Sequence, residues 1–344
     1  MELDGRKFQI LKAIIDEYIL SASPVGSKSI RQSAELNWSP ATIRNEMADL
    51  ESLGYLAQPH TSAGRIPSDK AYRLYVDRML KRANLTDREL EILNSYYSSR
   101  ISGIESVLRS TACALSDITH YTAVVMMPDM AVNRLRHLQL VPLTEGKALA
   151  VVVTDAGVAR DAVIDVPADI TPRELEDLSR TITQRCYNCR MTTVADTLTG
   201  DIGRELHLRG DFLKTLLLRV NESAQSGTNM VELSGARNML RYPEYSDVNK
   251  AKTFLATVEQ RDAIYRMMKK ASSMEFTITI GSENEQEGLQ DCSVVTATYR
   301  VNDTPLGTFG IIGPTRMDYN RVVNVLQGVQ QNLSVILQSF LKED

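Results

Sequence analysis

The sequence contains few cysteines and no long apolar run. Its 344 residues include four cysteines without regular spacing, which is typical of a protein from a reducing cytoplasm. The apolar runs have the length of strands and are too short for a membrane-spanning helix. Charged residues interrupt the segment from Met1 to Lys12, so the N-terminus lacks the pattern of a signal peptide. We therefore expect a cytoplasmic protein without a membrane span.

Motifs of the common catalytic and metal sites are also lacking. The sequence has no GxSxG, P-loop or HExxH string. Cys186 and Cys189 have the spacing of a redox or zinc pair, but no second pair of cysteines or histidines complements them. A structural zinc needs four such ligands, so we interpret these residues as unbonded cysteines near a helix end. We expect no enzymatic activity, no metal and no cofactor.

Neither sign of charge is in large excess. The net charge is −4 at pH 7 and the pI is about 5.7, which argues against a protein that coats nucleic acid without sequence preference. The first 82 residues have only a small excess of basic side chains. If this segment binds DNA, phosphate neutralisation contributes only modestly to the affinity of each subunit. Base contacts and a second subunit must then supply the rest of the binding free energy.

The most informative segment is 39–54, which predicts a capped helix. Ser39 can accept hydrogen bonds from free amides of the first turn, and Pro40 fits the first helical position because its missing N–H costs nothing there. Gly54 provides a left-handed stop. Apolar residues at helical spacing define the buried side of this helix: Ile43, Met47, Leu50 and Leu53.

The opposite side of this helix has the composition of a DNA-reading surface. Small side chains allow close approach to a major groove, and an arginine and an amide match the donors and acceptors of base edges. The predicted contacts of this recognition helix are Ser39, Ala41, Thr42, Arg44 and Asn45. The alternative is an ordinary amphipathic helix, since many of these also end at glycine and expose arginine and asparagine.

The neighbouring segments favour the DNA-binding interpretation. Residues 8–19 have a strongly apolar helical face, and residues 23–26 end this first helix. Residues 27–34 predict a short second helix. After the recognition helix come a strand and a polar loop tipped by Gly64 and Arg65. This order is the winged helix-turn-helix plan.

The predicted wing and second helix supply further DNA contacts. Arg65 suits a narrow minor groove, where negative potential is focused. Ser27 and Lys28 begin the second helix, where free amides point outward and suit phosphate. The other predicted phosphate contacts, all in the wing, are His60, Thr61 and Ser62. The alternatives are an ordinary hairpin loop and, for Lys28, a solvated surface lysine.

The remainder of the chain predicts an α+β fold. Ser68 caps a helix, and helical periodicity continues through a connector at 83–110. A final helix starts at about Asp318. Acidic residues between Glu283 and Asp291 are interpreted as a solvated loop. The strand-like segments are 121–127, 135–143, 148–155 and 158–166 in the centre, and 276–280, 294–301 and 306–312 near the end.

The helical segments 171–188, 211–222 and 250–272 lie between these two groups of strands. One sheet domain that is interrupted by a separate insert explains this order economically. We predict a winged helix at 1–82, a discontinuous sheet domain at 111–170 and 270–344, and a mostly helical insert at 171–269.

Several strings in the sequence are long and specific. Near the N-terminus they are Pro24-Val25-Gly26-Ser27-Lys28, the run from Ser39 to Leu50, and the run from Gln58 to Pro67. Near the other end they are the runs from Ile280 to Asn284 and from Gly307 to Tyr319. Through these strings the chain resembles the heat-inducible transcription repressor HrcA family, over essentially its whole length.

The resemblance implies a GAF-like sheet domain split by an inserted dimerisation domain. It also implies a homodimeric repressor of groE- and dnaK-type chaperone operons that binds the CIRCE inverted repeat in double-stranded DNA. The GroEL chaperonin would maintain the repressor, heat stress would inactivate it, and no nucleotide cofactor is implied. Two-fold symmetry then requires half-sites on one face of the DNA, a whole number of turns apart.

A second hypothesis is a ligand- or redox-gated transcriptional regulator of the GAF type, in which the sheet domain or Cys186 and Cys189 sense a signal. An effector or a thiol oxidation that changes operator affinity at fixed temperature would favour it. A third hypothesis, an enzyme built on the sheet domain, needs a catalytic constellation that the sequence does not show.

Overall fold

The computed structural model describes the greater part of the chain. The predicted wing contacts Thr61 and Ser62, and part of the predicted helix at 211–222, lie outside the described residues. The described residues are 3–34, 36–60, 63–80, 83–97, 104–127, 134–144, 146–155, 159–191, 193–194, 212, 215–216, 218–219, 231–301 and 304–342.

Helices and a short hairpin form the N-terminal winged helix. The side chains of Asp4, Ser39 and Ser68 cap its helices by accepting from amides of the first turn. Apolar side chains from the first three helices, such as Ile14, Ile30 and Ile43, are fully buried together. The elements are α1 (Gly5–Ser21), α2 (Ser27–Ser33), α3 (Pro40–Ser52), β1 (Leu56–Ala57), β2 (Ile66–Pro67) and α4 (Asp69–Met79). The predicted order of elements is confirmed.

The remaining elements form the body of the protein. In chain order they are α5 (Asp87–Tyr97), α6 (Ile104–Thr119), β3 (Thr122–Met126), β4 (Leu135–Thr144), β5 (Lys147–Thr154), β6 (Ala159–Asp165), α7 (Pro172–Cys186), β7 (Val231–Ser234), α8 (Val248–Glu259), α9 (Arg261–Ala271), β8 (Phe276–Ile280), β9 (Cys292–Val301), β10 (Thr304–Pro314) and α10 (Tyr319–Lys342). Among the described residues, none of the helices combines the length and apolar character that a membrane crossing requires.

The central sheet has, within the described residues, five antiparallel strands in the order β7-β3-β10-β9-β8. Successive residues of β9 and β10 point to opposite faces, and each face is covered by helices. Val295 and Ile311 pack in one apolar cluster with α6 and α10, whereas Val294 and Ile312 pack in another with α8 and α9. The predicted α+β fold class is confirmed.

Strands β4, β5 and β6 form a separate sheet, which corrects one expectation. We predicted that these strands belong to the same sheet as the late strands. Within the described residues they instead form a separate three-stranded sheet in the order β4-β5-β6. α7 packs on β4, where the hydroxyls of Thr183 and Ser179 accept from the amides of Leu138 and Leu140 over 3.0 and 2.8 Å. Strand periodicity shows which residues alternate but does not show which strands pair.

The predicted helical connector contains α5 and the start of α6 and packs on the body, since α5 packs on α6, and α6 packs on β3 and α10. Two further segments differ from the prediction. The segment after residue 230 also belongs to the central sheet, since β7, which was not predicted, pairs with β3. The predicted helix at 250–272 is broken at Gln260, whose ψ of 74° is not helical.

Polar contacts fasten the winged helix to the body through α4. Nε of Arg73 donates to Oε1 of Glu283 over 2.8 Å, and Nη2 of Arg73 donates to the carbonyl of Ile278 over 2.6 Å. The amide of Ser282 donates to Oδ2 of Asp69 over 2.9 Å. We call these contacts of Asp69 and Arg73 the α4 clasp. Glu283 is exposed, as its interpretation as a solvated residue expects, but its carboxylate also belongs to this clasp, which the sequence did not indicate.

Gly281 permits the close approach within the α4 clasp. Its φ is +52°, and a Cβ at this position would lie 2.1 Å from Oδ2 of Asp69. Glycine is therefore required both by the backbone conformation and by the space. A second attachment lies at the end of α1, where Nη1 of Arg316 donates to the carbonyl of Ile19 over 2.9 Å.

Candidate nucleic-acid interface

The N-terminal half of α3 presents a polar surface because its apolar side is buried. Ile43, Met47 and Leu50 are at most 4 % exposed. Ala41, Arg44 and Asn45 consequently lie on the opposite side, and all of them are exposed. The helix ends just before Gly54, whose φ is +79°, as the sequence predicts.

Ser39 and Thr42 shape the start of this helix. The hydroxyl of Ser39 accepts from the amide of Thr42 over 3.1 Å and shares a second hydrogen bond of 2.9 Å with the hydroxyl of Thr42. Thr42 is half-buried, whereas Ser39 is exposed. The two hydroxyls therefore already stabilise the helix N-terminus, and contact with DNA would be an additional role.

Cations of α1 offset the acidic residues of α3. Nζ of Lys7 lies 2.8 Å from Oε2 of Glu46 and 3.2 Å from Oδ2 of Asp49. Hydrogen bonds to Glu46 and Asp49 raise the pKa of Lys7 above its ordinary value. Arg6 also contacts Glu46, over 3.3 Å. Sequence reasoning missed this pairing, which reduces the negative charge that α3 would otherwise present to phosphates.

The base of the wing is joined to the turn before α2. The amides and carbonyls of Val25 and Arg65 exchange hydrogen bonds of 2.9 and 2.8 Å. A Cβ on Gly64 would lie 2.4 Å from the carbonyl oxygen of Val25, so only glycine fits here without a backbone shift. His60 is exposed on the wing.

The side chain of Arg65 is paired within the winged helix. Its Nε donates to Oε2 of Glu51 over 2.8 Å, and 19 % of the side chain is exposed. It therefore lies beside α3 and does not extend freely from the wing. The predicted contact of Arg65 with a minor groove requires the side chain to leave Glu51.

A cleft of about 450 Å³ gathers several of the predicted residues between α2, α3 and the wing. It is lined by Ser27, Lys28, Arg44 and Arg65, and also by Gln58, which sequence reasoning did not select. Ser27 is buried at 7 % exposure, whereas Lys28 is exposed. Among the described residues, neither Lys28 nor Arg44 forms an ion pair, so both cations are available to an anionic polymer.

The remaining candidate chemistry of the sequence is the cysteine pair. Cys186 and Cys189 are free thiols at the end of α7, and burial raises the pKa of the Cys186 thiol to about 11. Since the thiolate is the reactive form, this environment is unfavourable for redox sensing. Within the described ranges, no group of three or more His, Cys, Asp and Glu side chains is arranged to hold a metal ion.

Comparison with known families gives two matches along the chain. The family described as "Winged helix-turn-helix transcription repressor, HrcA DNA-binding" matches residues 2–79. The family described as "HrcA protein C terminal domain" matches residues 105–323. The two matches divide the chain between the winged helix and the body.

Individual proteins show the same similarity. The "Heat-inducible transcription repressor HrcA" of Pelotomaculum thermopropionicum is 39% identical over 344 residues, which cover 99% of each chain. The protein of the same name from Ruminiclostridium cellulolyticum is 41% identical over 338 residues, which cover 97% of each. A crystal structure of a hypothetical protein at 2.2 Å has a TM-score of 0.67 at 22% identity and covers 98% of this chain and 100% of that one, which shows a shared fold.

Proposed function

The chain belongs to the HrcA family of heat-inducible transcription repressors, which are not enzymes, and from that premise we propose how it binds its operator. Each winged helix places α3 in the major groove of one half-site, with Ala41, Arg44 and Asn45 against base edges. Ser39 and Thr42 hold the start of α3, where free amides suit a neighbouring phosphate. The operator is the CIRCE inverted repeat, and the repressor acts in the bacterial cytoplasm.

The observation that carries this proposal is the exposure of α3 in a structure that includes the body. The body is fastened through α1 and α4, by Arg316 at Ile19 and by the α4 clasp. Ala41, Arg44 and Asn45 remain exposed beside this attachment. A double helix can therefore approach the recognition helix without displacing the body.

Cationic and polar residues around α3 then hold the DNA backbone. Lys28 at the start of α2 neutralises one phosphate. Ser27, His60, Thr61 and Ser62 contact the DNA backbone near that phosphate. Arg65 exchanges Glu51 for the flanking minor groove when DNA is bound. Because Glu51 pairs with Arg65 in the free protein, the minor-groove contact forms at the expense of this ion pair.

We further propose that the sheet of β4, β5 and β6 provides the homodimer interface. α7 covers one face of this sheet. On the opposite face Val141, Leu149 and Val163 lie side by side in register, and Val141 and Val163 are 40 % and 52 % exposed. A two-fold axis over this row would bury the same apolar patch from both subunits.

The topology of the central sheet supports a dependence on the GroEL chaperonin. β3 pairs with β10 and β7, which lie far from it along the chain. Such long-range pairing folds slowly and exposes apolar surface before it is complete. Heat would occupy the chaperonin with other clients, and the amount of active repressor would then fall.

The test is a DNase I footprint of the purified full-length protein on genomic DNA fragments upstream of chaperone genes. We expect a symmetric protected site with two half-sites on one face of the helix. The variant R44A should lose this footprint at protein concentrations that fully protect the site with wild type. Protection without two-fold symmetry, or an unchanged footprint with R44A, would contradict the proposal.

A further inference from the structure

A cavity of about 490 Å³ lies between α9 and the β8–β9 end of the central sheet. α9 packs against β10, β3, β7 and β9 and leaves the edge strand β8 less covered. Met267 of α9, Met274 and Val294 of β9 form apolar walls, and Thr277 and Thr296 contribute hydroxyls from the sheet. The accessible surface of its walls is mostly apolar, although most of the lining residues carry polar or charged side chains. Concave sites of this size with a largely apolar surface are typical of small-molecule sites.

One polar atom in the wall of this cavity lacks a partner within the described protein. Oγ1 of Thr277 is buried and makes no hydrogen bond there. Buried hydroxyls are almost always hydrogen-bonded, so an unpartnered one beside a cavity indicates a group that a ligand can satisfy. The neighbouring hydroxyl of Thr279 differs, because it already bonds Oδ1 of Asn284 over 2.8 Å.

The other polar side chains of the wall divide into occupied and available groups. Asn284 donates to the carbonyls of Gly281, Leu289 and Cys292, and Glu283 is held by Arg73. Lys270 pairs with Glu285 at the rim. Arg266 also lines the cavity and, within the described residues, forms no ion pair. Of the charged side chains of the wall, Arg266 is therefore the available cation. Thr277 adds a buried hydroxyl, and Gln286 and Thr296 also line the cavity.

We propose that this cavity binds a small carboxylic acid with an apolar body. The carboxylate pairs with the guanidinium of Arg266, which is the group best suited to bidentate contact with a carboxylate. The apolar body lies between Met267, Met274 and Val294, and flexible methionines adapt to chains of different shape. The hydroxyl of Thr277 donates to, or accepts from, a polar atom of the ligand.

The position of Glu283 connects this cavity to the winged helix. Glu283 lines the cavity and also holds Arg73 of the α4 clasp. An occupant that shifts Glu283 changes the attachment of α4, and hence the placement of α3. This second part of the inference rests on the proposed DNA-binding function, whereas the binding site itself does not.

Calorimetric titration of the full-length protein with monomeric decanoate tests the site without DNA. Wild type should bind decanoate and should bind decanol much more weakly. R266E should lose about tenfold or more in affinity for decanoate. T277V should bind decanoate like wild type, but should bind the ω-hydroxy acid of the same length about two- to fivefold more weakly than wild type does, because it removes one neutral hydrogen bond to the terminal hydroxyl. The matched control is R237E, since Arg237 is exposed and does not line the cavity. R237E should bind like wild type.

R266E and T277V should leave the fold intact, because Arg266 is exposed and valine occupies nearly the same space as threonine. Circular dichroism and thermal unfolding check this. The site is overturned if wild type does not bind decanoate, if decanol binds equally well, or if R266E and R237E bind alike.

The coupling is measured by operator affinity with and without saturating decanoate. We expect decanoate to change the operator affinity of wild type at fixed temperature, and to change that of E283Q less. If decanoate binds in the titration but operator affinity is unchanged, the coupling is overturned and the site stands. If the protein binds no operator DNA at all, the proposed function fails, and the titration still decides the site.

Discussion

Arg44 and Arg73 lie in the same small domain, but their surroundings are opposite. Arg73 on α4 is held by a carboxylate and a carbonyl of the body. Arg44 on α3 is exposed and, in the described structure, unpaired. An arginine whose charge is already compensated stabilises the protein, whereas an uncompensated one at a helix N-terminus is available to a polyanion. The winged helix thus has an attachment side and a reading side.

The largest effect that separates the two sides is expected for R44A. Loss of a base contact should cost roughly 1–3 kcal/mol per half-site and relax sequence preference. Fluorescence anisotropy with the inverted repeat and with a scrambled duplex measures both quantities, and R237A is the matched control. If R44A retains full preference for the operator, α3 is not the reading helix.

R73A should affect stability more than base preference. Removing a partly exposed charged hydrogen-bond donor should lower the free energy of unfolding by about 1 kcal/mol. Urea denaturation measures this change, again against R237A. The ratio of operator to scrambled affinity should stay near that of wild type. A selective loss of operator preference would show that the two sides are not distinct.

K28A should weaken DNA binding without regard to sequence. Loss of one phosphate contact should reduce the affinity for operator and scrambled DNA about equally, and should flatten the salt dependence by about one unit of slope per half-site. Anisotropy titrations at several salt concentrations measure this slope. An unchanged slope would show that Lys28 makes no phosphate contact and is a solvated surface lysine.

The smallest effect concerns the pH dependence of the α4 clasp. Burial acts to raise the pKa of Glu283, but hydrogen bonds from Arg73 and the Ile280 amide outweigh it, so the pKa lies below its ordinary value. This carboxylate therefore contributes stability above the unfolded pKa, and the contribution disappears as the pH falls through the folded pKa.

We accordingly expect the thermal midpoint of wild type to fall more steeply than that of E283Q below about pH 4.3, the ordinary glutamate value. Thermal unfolding between neutral and acid pH measures this difference. E285Q, which alters an exposed rim residue outside the clasp, should follow wild type. Parallel curves for wild type and E283Q would show that the clasp does not depend on this charge.

The sequence predicted local structure well because local signals are physically sufficient there. The cap at Ser39, the stop at Gly54 and the cap at Ser68 all act within one helical turn. The same signals correctly placed Ala41, Arg44 and Asn45 on an exposed side. A cap and a periodic apolar side suffice to predict which face of a helix is exposed to solvent.

Pairing between distant segments could not be predicted in this way. The alternation in β4, β5 and β6 indicated strands but not their separation from the central sheet. β7 was not predicted, because its strand conformation depends on pairing with β3, which is distant along the chain. The pairing of Arg65 with Glu51 and of Lys7 with Glu46 joins side chains from different elements, so no spacing in the sequence reveals it.

By itself, the sequence determined the helices and strands of the winged helix, the residues that its recognition helix exposes, and membership of a repressor family. Tertiary structure alone decided that Arg65 rests on Glu51, that Arg73 fastens the winged helix to Glu283, and that a cavity opens beside that contact. The reason is physical. Caps and amphipathic periodicity depend on neighbours within a few residues, whereas ion pairs, sheet membership and cavities depend on which distant segments come together.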